Sequence, residues 1–452
     1  MRQLNHTKLV VLIRGARAAS NPADVARLGE EAITASLSPK MRLSIAKELV
    51  AAGRGDLAWK ALSADPATFT HPTFPLNSRR ILTAVRDRQL REEIQAARSA
   101  AMNGGQAIKA EPLDIPFSAK PAKRGKLGNI SLVAVATVEQ RHVDRFHQEM
   151  QIFRRRLRVD HTPKLVEYTN VFLDRNGQVW KENGAIVRSS GAPIATTDTS
   201  SVPNIDTAFF AVSATSGIYH WLVDQLPGFS WMFVRGNSAP KILLSDEAPR
   251  FKKETLELCR LAHKIVAVGD AVYVSHLIMA DVGFRGIAKW KAVEPIFRKI
   301  AANATSRFGT KIYISRRSAK RRQMTNEAEV EALMSRLGFD IIRMEELTLK
   351  EQVGIASHAE VIAGPHGAGL AHIMFAPKSC RVIEIMPIIE GAYFLRFNYA
   401  RLCLTRGLTY RALMVDQPFG TQQRWNVDLQ ELETFMLQAL EPQSMSEKRA
   451  EA

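Results

Sequence analysis

Residues 360–370 read Glu360-Val361-Ile362-Ala363-Gly364-Pro365-His366-Gly367-Ala368-Gly369-Leu370. A β-rich run ends at Gly364-Pro365, because proline lacks the N–H group that a strand interior needs. A glycine-rich turn follows, and the apolar run at 370–376 is typical of the start of a helix. Such a strand, turn and helix aim free backbone N–H groups at one point, which favours a bound anion. The two glycines after His366 would let a diphosphate approach the backbone, and His366 itself could donate to a phosphate oxygen.

The order of the glycines, Gly-x-x-Gly-x-Gly, differs from two common phosphate-binding loops. It is not the dinucleotide fingerprint Gly-x-Gly-x-x-Gly, and it lacks the Gly-Lys-Ser/Thr ending of a P-loop. Many strand-to-helix turns are glycine-rich for backbone reasons alone. The turn by itself therefore leaves two interpretations open, a phosphate site and a purely structural turn.

The sequence around this turn alternates regularly between strands and helices. The strand patterns lie at 311–315, 339–343, 361–363 and 381–385, and the helical patterns lie at 327–337 and 348–357. This alternation predicts a parallel, doubly wound sheet, in which ligands bind beyond the carboxyl ends of the strands. Arg316-Arg317, the turn at 364–369 and Glu384 all fall at such ends, so we expect them to lie close together.

Polar side chains at these strand ends suit a nucleotide. The first strand is followed by the cations Arg316, Arg317, Lys320, Arg321 and Arg322. Arginine binds diphosphate oxygens in a bidentate manner, although a solvated basic loop would show the same pattern. The position favours phosphate contact by Arg316 or Arg322. Asn326 could contact the nucleotide or cap the next helix, and Glu384 could accept from both ribose hydroxyls or serve in a cap or an ion pair.

A second segment, residues 217–227, carries a histidine and a carboxylate four residues apart. On a helix, His220 and Asp224 share a face. A histidine oriented by a carboxylate, or a carboxylate alone, can serve as a general base. The pair could also bind a metal, although no third ligand lies at a useful spacing, or it could be a buried pair that fixes helix packing beside Trp221.

Together these segments resemble glycosyltransferase family 61, which includes bacterial capsular polysaccharide enzymes and eukaryotic N-acetylglucosamine and xylose transferases. The resemblance covers about residues 205–390 and depends on ordered segments at 219–227, 314–326, 364–370 and 382–384. It implies an α/β fold of the GT-B type, with two Rossmann-like domains facing a cleft. It also implies an inverting transfer from a nucleotide sugar, UDP-linked in our interpretation, with no cofactor and no metal.

The resemblance implies roles for the matching residues. Asp224 or His220 would deprotonate the acceptor hydroxyl, because an inverting displacement needs a single base. Cations and the helix N-terminus would neutralise the leaving diphosphate, as an oxyanion hole does. The donor-binding residues would be Arg316, Arg317, Arg322, Asn326, Gly364, His366, Gly367, Ala368, Gly369 and Glu384.

The sequence divides into five regions. Residues 1–110 are predicted to be a helical extension, 111–128 a linker, 129–305 an acceptor-binding Rossmann-like domain, 306–390 a donor-binding Rossmann-like domain, and 391–452 helices packing back across the domains. Part of the extension resembles one unit of a helical repeat array. Docking or oligomerisation through these helices and a mere extension remain open as interpretations.

The composition limits the compartment and the partners. Three widely spaced cysteines and the lack of a signal-peptide core or of roughly 18 consecutive apolar residues predict a cytoplasmic protein. The net charge of +17 attracts polyanions such as acidic substrates, an anionic membrane surface or nucleic acid. No nucleic-acid-binding module is recognisable, so nucleic acid ranks last among these partners.

These observations predict an enzyme that moves a sugar from a nucleotide sugar to a hydroxyl of a cell-surface polysaccharide or glycolipid. A lipid-linked acceptor would bring the protein to the inner face of the membrane. The alternative is a non-catalytic protein that retains the fold and binds a polyanion or organises a biosynthetic complex.

Overall fold

The computed structural model describes residues 6–71, 73–103, 111–113, 127–157, 164–188, 190, 194–212, 217–232, 239–281, 290–302, 304–319, 322–388, 393–417 and 424–441. Within them, a group of helices precedes two β-sheets that are accompanied by further helices. The predicted α/β class is confirmed. Most of the predicted linker, together with Lys320 and Arg321, lies outside the described residues.

The described part of the extension contains six α-helices: α1 (His6–Ala18), α2 (Pro22–Thr34), α3 (Pro39–Ala51), α4 (Gly55–Ser63), α5 (Phe74–Ala84) and α6 (Arg88–Asn103). Successive helices pair, and α3 also packs on α1 and α5. The sequence predicts one repeat-like unit, whereas three helix pairs are present. Their apolar side chains form a separate hydrophobic core, which shares none of its described residues with the cores around the sheets.

The strands of the described residues are β1 (Glu111–Leu113), β2 (Ile130–Ala134), β3 (Lys164–Leu173), β4 (Val179–Trp180), β5 (Ile186–Arg188), β6 (Asn204–Phe210), β7 (Lys241–Ser245), β8 (Ile265–Val268), β9 (Val272–Asp281), β10 (Lys311–Ile314), β11 (Asp340–Ile342), β12 (Val361–Pro365), β13 (Arg381–Ile388) and β14 (Thr409–Asp416). The first sheet has the order β5-β4-β3-β9-β6-β7-β8, with β1 also paired to β3. It is mixed, because β9 is antiparallel to β3 but parallel to β6.

The second sheet is parallel throughout, with the order β11-β10-β12-β13-β14-β2. Its central strands are buried on both faces, as expected for a parallel sheet with near-continuous apolar runs. In this register Gly364 lies beside Glu384, so the glycine turn and the strand that carries Glu384 end at the same edge. The parallel sheet predicted for this region is present.

The remaining α-helices of four or more residues in the described part of the chain are α7 (Gln140–Arg156), α8 (Arg250–Leu258), α9 (Trp290–Ala301), α10 (Glu327–Arg336), α11 (Leu349–His358), α12 (Tyr393–Arg396), α13 (Asn398–Arg406) and α14 (Leu429–Leu440). Local chemistry fixes their ends. Thr348 and Glu351 form a reciprocal capping box at the start of α11, which satisfies two backbone N–H groups. Gly407 ends α13 in the left-handed conformation, with φ of 73°, which glycine adopts without steric cost.

Two predicted boundaries differ from the sheets that form. Strand β2, expected in the acceptor domain, pairs with β14 in the parallel sheet. The next helix, α7, stays on this side of the molecule because Phe146 meets Phe397 edge to face at 5.1 Å and His142 bonds the Tyr393 hydroxyl at 2.8 Å. The region 391–452 likewise contributes β14, so its described part completes the parallel sheet instead of supplying helices alone.

One continuous hydrophobic core joins the two sheets. It includes Phe209 and Ile242 from the mixed sheet and Ile312, Ile362 and Val382 from the parallel sheet. Among the described residues, no helix combines the length and the apolar character that a bilayer crossing requires.

Candidate functional site

The carboxyl edge of the parallel sheet brings three predicted residues into contact. Arg316 follows the end of β10, and its Nη1 donates a hydrogen bond of 2.7 Å to the carbonyl oxygen of His366. His366 directly follows β12, and its Nδ1 lies 2.6 Å from Oε1 of Glu384 on β13. The expected convergence is therefore present, because neighbouring parallel strands end at one edge.

The His366–Glu384 pair is buried. Glu384 is fully buried, and its second oxygen accepts from the Tyr410 hydroxyl at 2.6 Å. Burial raises the pKa of Glu384 to about 8, and it lowers the pKa of His366 well below its ordinary value. Near neutral pH the pair therefore carries one proton and no net charge.

The positive charges of three arginines act on this pair. Arg322, from the loop after β10, and Arg396, at the end of α12, both influence the titration of Glu384, and Arg316 joins them at His366. Burial is the main cause that lowers the pKa of Arg316 and lowers that of Arg396 to about 10, and the charge of Arg322 comes second for both. The edge of the sheet thus holds a concentrated positive charge.

A C-terminal segment fixes the backbone of the Arg322 loop. The Trp425 Nε1 donates to the carbonyl oxygen of Arg322 at 3.1 Å, and the Thr325 N–H donates to the carbonyl of Trp425 at 2.7 Å. The Asn326 side chain bonds both the carbonyl and the N–H of Val427, at 2.7 and 3.3 Å. Asn326 therefore holds two chain segments together, and it makes no side-chain cap on α10.

The glycines of the turn admit protein atoms. A Cβ added to Gly367 would lie 1.9 Å from Nη1 of Arg316, and one added to Gly364 would lie 2.8 Å from the backbone oxygen of Ile314. At Gly367, the Arg316 guanidinium therefore occupies the space in which a diphosphate is predicted to approach the backbone. Gly369 similarly faces the Ile314 side chain.

The helix after the turn is shorter and tighter than the sequence predicts. Residues Ala368–Met374 form a 3₁₀-helix of seven residues that follows the extended Gly367. A helix this short contributes less dipole than the predicted α-helix, so most of the positive potential here comes from side chains. Ala368 is exposed at its start.

Arg317 lies apart from this cluster. Its Nη1 is 3.5 Å from Oε2 of Glu331, which also accepts from the Ser315 hydroxyl at 2.6 Å through its other oxygen. Glu331 borders a cavity of about 520 Å³ beside the edge strand β11, whose lining includes Arg307 and Arg343 but none of the His366–Glu384 residues. Arg316 and Arg317 therefore serve different surfaces.

His220 and Asp224 form the predicted pair. The Nδ1 of His220 lies 2.7 Å from Oδ2 of Asp224, and the two side chains are 49% and 35% exposed, so the pair reaches solvent. The hydrogen bond to Asp224 raises the pKa of His220. The chain is π-helical at Trp221–Gln225, an irregularity frequent at functional sites, and Trp221 anchors it by donating to the Thr255 hydroxyl at 3.0 Å.

Two tyrosines connect this pair to the sheet edge. Tyr219 meets Tyr399 edge to face at 5.9 Å, and the Tyr399 ring lies 5.3 Å from that of His366. The Tyr399 hydroxyl donates to the carbonyl oxygen of Gly367 at 2.5 Å. The acid–base pair and the arginine cluster consequently belong to one neighbourhood.

Sequence reasoning missed several residues of this neighbourhood. They are Arg396, Tyr399, Tyr410 and Trp425, all of which follow the last predicted strand. Arg396 has a signal in hindsight, since it is a single charge within the run Tyr393-Phe394-Leu395-Arg396-Phe397. The tyrosines and Trp425 resemble ordinary core residues, and only their hydrogen bonds distinguish them.

The fold and this edge define a class: an α/β protein with buried arginines at the carboxyl edge of a parallel sheet and an exposed His–Asp pair nearby. The Glycosyltransferase 61 family model matches residues 218–383, from the His220 segment to the residue before Glu384. The EGF domain-specific O-linked N-acetylglucosamine transferase of Drosophila melanogaster is 33% identical over 102 residues, which are 22% of this chain and 18% of that protein. Both matches support a glycosyltransferase. Among the described residues, no group of three or more His, Cys, Asp or Glu side chains could hold a metal ion.

Proposed function

We propose that this protein is an inverting glycosyltransferase that uses a nucleotide sugar without a metal ion. The observation that carries the proposal is the convergence of Arg316, Arg322 and the His366–Glu384 pair at one sheet edge, with His220–Asp224 nearby. Buried positive charge of this density calls for an anionic ligand, and a diphosphate leaving group supplies one.

The donor's diphosphate would bind between the arginines and His366. The raised pKa of Glu384 keeps its proton near neutral pH, so the acid donates to Nδ1 of His366 and leaves a hydrogen on Nε2. That N–H would donate to a phosphate oxygen as negative charge develops on the leaving group. We therefore assign Glu384 to positioning His366, since both its oxygens are engaged and ribose contact would require breaking those bonds.

His220 would act as the base. Asp224 holds its Nδ1, which orients the ring and strengthens it as a base. The acceptor hydroxyl oxygen would attack the anomeric carbon and lose its proton to Nε2 of His220, while the bond between that carbon and the diphosphate breaks. Asp224 as the base itself is the competing assignment.

The acceptor and the cellular setting remain predictions from the sequence. We propose a hydroxyl of a cell-surface polysaccharide or glycolipid, a GT-B arrangement with the donor on the parallel sheet, and action at the inner face of the membrane. The Drosophila relative's name specifies O-linked N-acetylglucosamine transfer to EGF domains, so that sugar belongs in the first donor panel.

Thermal unfolding with a panel of nucleotide sugars in the presence of EDTA tests the proposal. A UDP-sugar should raise the melting temperature of the wild type, because a ligand that binds only the folded state stabilises it. Arg316→Ala should abolish the shift, whereas Arg317→Ala, the neighbouring arginine that pairs with Glu331, should retain it.

Turnover of the same UDP-sugar separates binding from chemistry. His220→Ala and Asp224→Asn should keep the thermal shift and lose about 100-fold or more in transfer or hydrolysis. A wild-type protein that neither shifts with any nucleotide sugar nor consumes one would contradict the proposal and favour the non-catalytic alternative.

A further inference from the structure

Arg396 occupies the carboxyl edge of the parallel sheet without a predicted role. It ends the short helix α12 and is 3% exposed. Its Nη2 donates to Oε1 of Gln417, the residue that follows β14. The Gln417 N–H in turn donates to the carbonyl oxygen of Ile388 at the end of β13, at 3.0 Å. The ends of two neighbouring strands thus place this guanidinium at the carboxyl edge of the parallel sheet.

Most of the Arg396 guanidinium is unsatisfied. Both Nε and Nη1 are buried and have no hydrogen-bond partner among the described residues, so one of its three nitrogens is used. An unpaired buried charge destabilises a folded protein, and natural structures keep such groups where a ligand completes them. Arg396 is therefore a candidate for ligand contact.

The surroundings of Arg396 are cationic. Burial lowers the pKa of Arg396, the like charges of Arg322 and Arg316 lower it further, and Glu384 acts in the opposite direction. Glu384 is already bonded by His366 and Tyr410, so it offers no free oxygen to the guanidinium. Three arginines thus surround one buried carboxyl group, which leaves an excess of positive charge. A diphosphate, which carries more negative charge than a single phosphate group, would balance this excess better.

We propose that Arg396 contacts the diphosphate of the donor as a third arginine beside Arg316 and Arg322. This inference rests on the proposed function, and it adds a residue that lies beyond the family match at 218–383. The unfilled Nε–H and Nη1–H would donate to diphosphate oxygens while Gln417 keeps the guanidinium in place. Because these contacts involve phosphate alone, they should act on any diphosphate irrespective of base or sugar.

Isothermal titration of the full chain with UDP, inorganic pyrophosphate and inorganic phosphate tests the proposal. Arg396→Gln should weaken UDP and pyrophosphate about 10- to 100-fold, the range for charge-assisted hydrogen bonds, and should reduce the preference for pyrophosphate over phosphate. Arg381→Gln is the matched control. It removes a carbonyl-bonded arginine from the opposite end of β13 and should leave the affinities unchanged.

The melting temperature of the unliganded protein provides an independent measurement. Arg396→Met should raise it or leave it unchanged, since the substitution removes an unpaired buried charge, whereas an arginine with a structural role would lower it on removal. Variants that bind pyrophosphate as tightly as the wild type, or an unliganded Arg396→Met that melts well below it, would overturn the role of Arg396 and leave the proposed function standing. A wild type that binds neither UDP nor pyrophosphate would overturn both.

Discussion

A single carboxyl group governs the chemistry of the sheet edge. The sequence predicts that its strand ends near Glu384, whereas β13 continues to Ile388, and it suggests that Glu384 contacts ribose. Its two oxygens instead bond His366 and Tyr410. A buried strand is readable from its apolar run, whereas the partners of a side chain depend on which strand lies beside it, here β14 with Tyr410.

The pH dependence of stability follows from this pair. The ordinary pKa values of Glu384 and His366 are 4.5 and 6.5. In the unfolded chain, between these two pH values, His366 therefore carries the one proton and Glu384 is ionised. Above pH 6.5 neither residue carries a titratable proton. The folded pair retains its proton until the pH approaches about 8. The folded state therefore binds the extra proton between pH 6.5 and 8, and the free energy of unfolding should fall by about 2 kcal/mol as the pH rises through this window.

Urea denaturation of wild type and Glu384→Gln across that window measures the effect. The variant lacks the titrating carboxyl group, so its stability should fall less over the same range. Parallel profiles for the two proteins would mean that the pair does not hold a proton in the way we describe.

Among the elements, the short segment 424–427 stabilises the loop that carries Arg322. Trp425 and Val427 hold the loop from Arg322 to Asn326, and Arg322 itself adopts a left-handed backbone with φ of 55°. A non-glycine residue in this conformation is strained and persists only where its surroundings enforce it. The Trp425 segment supplies that enforcement.

Trp425→Phe should therefore affect the site through the loop. The change keeps most of the packing and removes the N–H that bonds the Arg322 carbonyl, so we expect a loss of about 1 kcal/mol in stability and several-fold weaker UDP binding. Denaturation and calorimetry measure the two quantities.

Trp180→Phe is the matched control in the mixed sheet. Trp180 is also fully buried, and its Nε1 donates to the carbonyl oxygen of Thr196 at 2.6 Å. A similar loss of stability with unchanged UDP affinity is expected there. Equal effects of both variants on affinity would argue against a specific role for the Trp425 segment.

Prediction of the elements from the sequence succeeded where periodicity is strong. The alternation after residue 310 yields β10 to β13 and the helices between them with small shifts at their ends. The 3₁₀ character of Ala368–Met374 was beyond reach, because it follows from the packing of the turn against Arg316 and Tyr399. The partner of β2 was equally hidden, since an edge strand with one exposed face looks alike in either sheet.

At the scale of the whole molecule, the helical extension has a hydrophobic core of its own. Its core, which includes Leu49, is separate from the core that joins the two sheets, which includes Ile362. Such an arrangement predicts two thermal transitions. Leu49→Ala should lower the melting temperature of one transition and reduce the free energy of unfolding of that unit by about 2–5 kcal/mol, the range for such core truncations. Ile362→Ala should have the same effect on the other transition.

Scanning calorimetry with and without UDP assigns the transitions. UDP should raise the melting temperature of the transition that Ile362→Ala lowers. It should leave the melting temperature of the transition that Leu49→Ala lowers unchanged. A single cooperative transition that both substitutions lower equally would show that the extension and the sheets unfold as one unit.

The pairing of β2 with β14 also has a consequence for biosynthesis. A ribosome releases β2 long before its partner β14, and the Tyr410 and Gln417 contacts arrive only with that partner. A nascent chain thus exposes the unpaired edge of the parallel sheet until β14 emerges. A chain truncated before β14 would leave the carboxyl edge of the sheet unassembled, and chaperones that shield open β-edges would be needed until β14 docks.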